Sequence, residues 1–176
     1  KKSITLDLKK QSAIDWIKGN IERFDVIVEG FRPGVMKKLG LDYEDLSKIN
    51  DRIIYCSISG YGQSGSLANV PGHDVNYLAL SGALSISGDP TGPPEAWGGV
   101  QIADLSAAMY AVISIMAALR NRDEIGRGDY IDVSITDSVL AWMAPRIGQY
   151  FDKKRPSKEK FMGRGAYGSF ETKDRQ

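Results

Sequence analysis

Three short runs rich in β-branched residues, alternating with helix-type patterns, constrain this chain more than any other feature. Asp25-Val26-Ile27-Val28-Glu29, Arg52-Ile53-Ile54-Tyr55-Cys56-Ser57-Ile58-Ser59 and Tyr130-Ile131-Asp132-Val133-Ser134-Ile135 read as strands. The first has a short continuous apolar core, as expected of a buried strand in a parallel sheet. Ahead of it, Ala13, Ile14, Ile17 and Ile21 recur at helical spacing and predict a helix over 11–23. Short helices are expected over 35–39, where Pro33 suits the first turn, and over 43–49. A further helix is expected from Asp74 to Leu84. Over 103–121, Leu105, Ala108, Met109, Val112, Ile115, Met116 and Leu119 form a wide apolar stripe, and Arg120 and Arg122 complement the C-terminal dipole. Thr136 reads as the cap of a last helix reaching about residue 151. Alternating strands and helices of this kind predict an α/β layer fold around a parallel-type sheet.

Residues 3–8 alternate as one more strand, and 168–172 read as another that runs into a polar turn. Neither has an evident partner, so the expectation is an excerpt of a longer protein. An α/β domain is expected over 1–152, lacking N-terminal elements. Residues 153–176 are expected to form a charged linker and the start of a second, truncated domain. Three prolines and two glycines make 87–94 a loop. Trp97 with Gly98 and Gly99 shapes the loop beyond it.

Composition excludes some classes. A net charge of +1 with scattered basic residues gives no field for nucleic acid or a membrane surface. One cysteine, Cys56, rules out an intramolecular disulfide and argues against a thiolate metal site. No metal is expected, and a reducing, cytoplasmic compartment fits. The apolar stretch 109–119 is shorter than the roughly 18 residues of a membrane span.

Chemistry is expected at two helix entrances. His73 is the only histidine, and so the only side chain with an unperturbed pKa near neutrality. It lies in Pro71-Gly72-His73-Asp74-Val75-Asn76-Tyr77, between a Gly-rich loop and an apolar helical run. Asp104 opens the long helix. A base and a carboxylate so placed can handle a proton near an acidic carbon. Taken singly, each residue also has a plainer reading. Asp104 can be an N-cap, His73 a capping or packing residue, and Asp74 a helix-start carboxylate. Gly60, Gly62 and Gly65 have the spacing of a dinucleotide fingerprint, but Ser66 to Pro71 separates them from the next helix. Gly30-Phe31-Arg32-Pro33-Gly34 follows a parallel-type strand, at the end where α/β folds bind ligands. Arg32 there can meet a phosphate or thioester-bearing ligand, or simply pack on Phe31.

Together these segments resemble the family III CoA-transferases of the carnitine CoA-transferase type. Glu29-Gly30-Phe31-Arg32-Pro33-Gly34, Leu39-Gly40-Leu41, 54–63, Ile102-Ala103-Asp104-Leu105 and 126–134 match in the same order. The resemblance implies that family's fold and an acyl-CoA thioester as substrate, with coenzyme A in the substrate and no separate cofactor. It implies two chemistries. In the transferases an aspartate at the place of Asp104 attacks the thioester. In the α-methylacyl-CoA racemases that aspartate and a histidine at the place of His73 are paired bases. Gly72-His73-Asp74-Val75-Asn76-Tyr77 resembles the racemase version. By resemblance, Gly30, Phe31, Arg32, Gly72, Asp74, Val75, Asn76 and Tyr77 line the CoA-thioester site, and Lys38 holds the place of a basic CoA contact. The resemblance also implies an interlaced homodimer.

Overall fold

The computed structural model describes residues 1–96, 99–152, 158 and 173. The linker and second domain expected over 153–176, the strand expected over 168–172, and Trp97 with Gly98 therefore lie largely or wholly outside the described residues. The elements run α1 (Gln11–Asn20), β1 (Val26–Glu29), α2 (Val35–Lys38), α3 (Tyr43–Leu46), β2 (Ile54–Ser59), α4 (Asp74–Leu80), α5 (Ile102–Ile125), β3 (Asp129–Ser134), α6 (Ile135–Trp142) and α7 (Ala144–Phe151). The expected α/β layer architecture is present.

The three strands form one sheet in the order β1-β2-β3, and both pairings are parallel. Val26 pairs with Ile54, Ile54 with Asp129, and Ser59 with Ser134. Parallel neighbours need a crossover, and α2–α3 and then α4–α5 supply the two. β2 is the central strand, and Ile54, Tyr55, Cys56 and Ser57 are all buried. Successive side chains on it serve opposite layers. Tyr55 joins Ile14, Ile21, Leu41 and Leu46 beneath α1 and α3. Cys56 joins Ala107, Ala111 and Val133 beneath α5. Small residues on α5 let the helix approach the sheet closely. β1 is parallel as expected but not buried throughout, since Val28 is 55% exposed.

The end of α5 is tied to the starts of β1 and β2. Gly126 adopts the left-handed conformation and closes the helix through its N–H on the Arg122 carbonyl. The Arg122 guanidinium donates to the Arg52 carbonyl (3.1 Å) and to Asp25 Oδ1 (2.9 Å). Gly128 follows, and a Cβ there would collide with the Ile53 carbonyl.

Four expectations need correction. Residues 3–8 form no strand. Alternation gives a segment an apolar face, but a strand needs a hydrogen-bonded neighbour, and among the described residues β1 pairs only with β2. Thr136 is not the cap of α6. Ser134 is, its Oγ accepting the Asp137 N–H at 3.1 Å, while Thr136 donates its hydroxyl to the Gly60 carbonyl at 2.9 Å. The last helix is two helices, because Pro145, in the first turn of α7, has no N–H to continue α6. Finally, α5 runs past the expected range to 24 residues and is long and apolar enough to cross a membrane by length and composition. Its small-residue face nonetheless packs on the sheet.

Candidate active site

The site is built where the strands deliver their carboxyl ends. β2 ends at Ser59 and turns at Gly60. There the Tyr77 ring lies so close that a Cβ on Gly60 would stand 2.6 Å from it, and one on Gly72 would stand 2.7 Å from it. These two glycines admit Tyr77, whose hydroxyl donates to the Gly72 carbonyl at 2.7 Å. Tyr61 meets the Tyr77 ring edge-on, with centroids 5.2 Å apart. The segment before α4 is thus clamped from both sides.

His73 is the N-cap residue of α4, with extended backbone. Its N–H donates to Asn76 Oδ1 at 2.9 Å, so Asn76 serves the helix entrance directly. Its imidazole stands at the surface, and Val75 beside it is also exposed. Asp104 lies in the first turn of α5. It is not the N-cap of that helix, which is Gln101. The capping hydrogen bonds come from another helix. Asp74 Oδ1 accepts the N–H of Ala103 at 2.7 Å and of Asp104 at 3.1 Å.

Partial burial pushes the Asp104 carboxyl above the usual carboxylate range, and the Asp74 charge adds to this. His73 acts in the opposite direction, which places the imidazole within electrostatic reach of Asp104. Tyr77 is raised as well, first by burial, then by Tyr61 and Asp104. The structure therefore brings His73, Asp74, Asn76, Tyr77 and Asp104 together at the packed entrances of α4 and α5. Tyr77, Leu78 and Ala103 are the buried contacts beneath them.

The second group of expected residues lies at the end of β1. Glu29 is buried, and its carboxylate accepts the Phe31 N–H at 2.8 Å, fixing the Gly30-Phe31-Arg32 turn. A cavity of about 450 Å³ opens there, lined by Glu29, Arg32, Tyr43, Tyr55, Ser57 and Tyr130 among others. Lys37 lines it too; Lys38 does not and is exposed. Neither His73 nor Asp104 borders this cavity.

Sequence reasoning assigned no site role to Glu29, Lys37, Tyr61 or Asp132. Asp132 accepts the Gln63 N–H at 2.9 Å and so braces the Gly-rich loop. The signal for Glu29 and Asp132 was their place: ionisable residues near the carboxyl ends of parallel strands. Cys56 is fully buried, away from any substrate. Burial, with Glu29 and Asp132, pushes its thiol up to about 11. Among the described residues no cluster of His, Cys, Asp and Glu is placed to hold a metal ion.

A parallel sheet with helices packed on its two faces, and an imidazole and a carboxylate brought to neighbouring helix entrances, define an α/β domain with its candidate reactive groups beside the carboxyl ends of the strands. The chain belongs to CoA-transferase family III, whose profile matches residues 1–176. It is 43% identical over 143 residues to the acetyl-CoA:oxalate CoA-transferase of Acetobacter aceti, covering 81% of this chain and 37% of that protein. It is 37% identical over 185 residues to the α-methylacyl-CoA racemase of Mus musculus, covering 99% of this chain and 47% of that one. Among solved structures, a CaiB/BaiF family protein from Brucella suis superposes with a TM-score of 0.84 at 33% identity, over 89% of this chain and 42% of that one. The chain thus spans less than half the length of these relatives.

Proposed function

We propose that the full-length protein acts on an acyl-CoA thioester and moves the α-proton of a 2-methylacyl-CoA from one face of the carbon to the other. The observation that supports this is the placement of His73 at the entrance of α4 and of Asp104 in the first turn of α5, with His73 within electrostatic reach of an Asp104 carboxyl held above its usual range. One group takes the α-proton while the other, protonated, delivers a proton to the opposite face. A raised carboxyl keeps that proton available nearer to neutral pH. Backbone N–H groups at a helix N-terminus hold the enolate oxygen. Coenzyme A enters as part of the substrate, and the reaction needs neither metal nor redox cofactor. Gly30, Phe31, Arg32 and Lys38 are proposed to meet the CoA moiety, together with Gly72, Val75, Asn76 and Tyr77. His73→Ala should slow proton removal in one stereochemical direction far more than in the other. Equal, undiminished rates in both directions would refute the two-base reading.

The names of the relatives favour a second reading, CoA transfer between carboxylic acids. Asp104 would then be the nucleophile, and His73 a binding residue. Hydroxylamine or borohydride trapping of an adduct on Asp104 during turnover would support it, and an unlabelled Asp104 would count against it.

A homodimer working in the cytoplasm completes the proposal. Leu105, Met109, Val112, Ile113 and Met116 on α5 are each more than half exposed, an apolar face of the kind that a second copy or the rest of the full-length chain would cover.

A further inference from the structure

We propose that Asp74 is a positioning residue: by accepting the backbone N–H groups of Ala103 and Asp104, its carboxylate locks the entrance of α5 to that of α4 and sets where Asp104 stands relative to His73. This rests on the reading of His73 and Asp104 as the reacting groups.

The first turn of a helix leaves N–H groups without partners. In α5 the N-cap residue Gln101 gives no side-chain hydrogen bond. Asp74 Oδ1 takes over that duty for two successive amides, at 2.7 and 3.1 Å. Ala103 is fully buried, so its N–H has no water to turn to. The donors lie 29 and 30 residues along the chain from Asp74. The intervening stretch includes the proline-rich loop 87–94, which has no regular structure to carry rigidity between the two helices. The carboxylate makes the direct polar connection, above the buried contact of Tyr77 and Leu78 with Ala103.

His73 is the residue before Asp74, and its own N–H is fixed by Asn76 in the same helix. The backbone of His73 is therefore anchored to α4 through Asn76, and the backbone of Asp104 is anchored to α4 through Asp74. Asp74 Oδ1, accepting two amides, is committed to the clasp. Among the described residues, the titratable groups within electrostatic reach of Asp104 are Asp74, His73 and Tyr77. Of these, Asp74 adds its negative charge to the burial that raises the Asp104 carboxyl. The clasp thus sets the place of the Asp104 backbone, and the Asp74 charge adds to the effect of burial on the Asp104 carboxyl.

The test compares Asp74→Ala and Asp74→Asn in the full-length enzyme, by steady-state kinetics over a range of pH and by amide hydrogen exchange. Asn keeps an oxygen for both amides and deletes the charge; Ala deletes both. Asp74→Ala should lower kcat by about 10- to 100-fold, the scale of a displaced reacting group. Its KM for acyl-CoA should stay within about twofold. Asp74→Asn should keep most of kcat and move the acid limb of the pH profile to lower pH. The Ala103 and Asp104 amides should exchange faster in Asp74→Ala alone. A raised KM with unchanged kcat in Asp74→Ala would overturn the proposal in favour of a substrate contact. Unchanged exchange of those two amides in both variants would overturn it outright. Should Asp74→Ala not fold, Asp74→Ser, which shortens the side chain and removes the carboxylate, takes its place in the same kinetic and exchange measurements, with the same outcomes for and against. A wild-type enzyme inactive in both proton exchange and CoA transfer would instead sink the proposed function, and the amide readout would still judge the clasp.

Discussion

The hydroxyl of Tyr77 donates to the carbonyl of Gly72 at 2.7 Å, closing a loop of chain around the residue that precedes α4. The Tyr77 ring is buried, so the carbonyl it serves has little access to water. Tyr77→Phe keeps the ring and removes the bond. It should cost about 1 kcal/mol of stability, the net worth of one such hydrogen bond. Urea denaturation of the full-length protein checks this. Activity should fall as well, since His73 lies between Gly72 and α4.

The glycines around that ring are there for space. Gly60→Ala puts a Cβ 2.6 Å from Tyr77 and should destabilise by about 1–3 kcal/mol through overpacking. Gly19→Ala is the control. Nothing lies within 4 Å of a Cβ there, the residue is inside α1, and the change should stabilise by about 0.5–1 kcal/mol. Opposite signs from the same chemical change are the expected result of parallel denaturation curves.

How much of this was legible beforehand depends on distance along the chain. β2 and β3 stand out because β-branched and aromatic residues fill them. The period of α5 marks it as a helix but points to the wrong face: Leu105, Met109, Val112 and Met116 of the expected stripe are each more than half exposed, and the face that is buried is the small one, Ala103, Ser106, Ala107, Ala111 and Ala118. The false strand over 3–8 shows the limit. Ile4, Leu6 and Leu8 alternate, but alternation carries no information about a neighbouring strand, and Ile4 is 59% exposed. Ser134 and Thr136 are equally good caps by type, and only the turn at Gly60 decides which hydroxyl goes where. His73 and Asp104 were legible as candidates, and the roles proposed for them came from the family resemblance. Asp74 was legible only as a helix-start carboxylate. Its partners lie beyond the proline-rich loop, a pairing no local pattern encodes.

Asp104 carries a stability signature. Its carboxyl lies above the ordinary carboxylate value in the folded state, so the folded protein holds a proton that the unfolded chain has already released. Stability therefore falls as pH rises through the window from the unfolded value, about 4, up to the raised folded value. Asp104→Asn should be more stable than wild type near neutrality, with the difference vanishing below about pH 4. It should also abolish turnover. Thermal melts at the two pH values check the first claim.

Arg122 separates a useful hydrogen bond from a weak ion pair. Its side chain is 12% exposed, while that of Asp25 is 75% exposed. Asp25→Asn should therefore cost no more than a few tenths of a kcal/mol. Arg122→Lys cannot reach both the Arg52 carbonyl and Asp25 with one ammonium, and should cost about 1 kcal/mol or more. Near-equal losses in the two variants would contradict this division.

The most direct test of the paired reading of His73 and Asp104 follows the α-proton of a chiral 2-methylacyl-CoA by NMR. It uses the full-length enzyme in deuterated buffer with no acceptor acid present. Two facing bases predict deuterium uptake at the α-carbon together with loss of optical purity. No uptake, followed by CoA transfer once a free carboxylic acid is added, would contradict that pairing and leave Asp104 as a nucleophile.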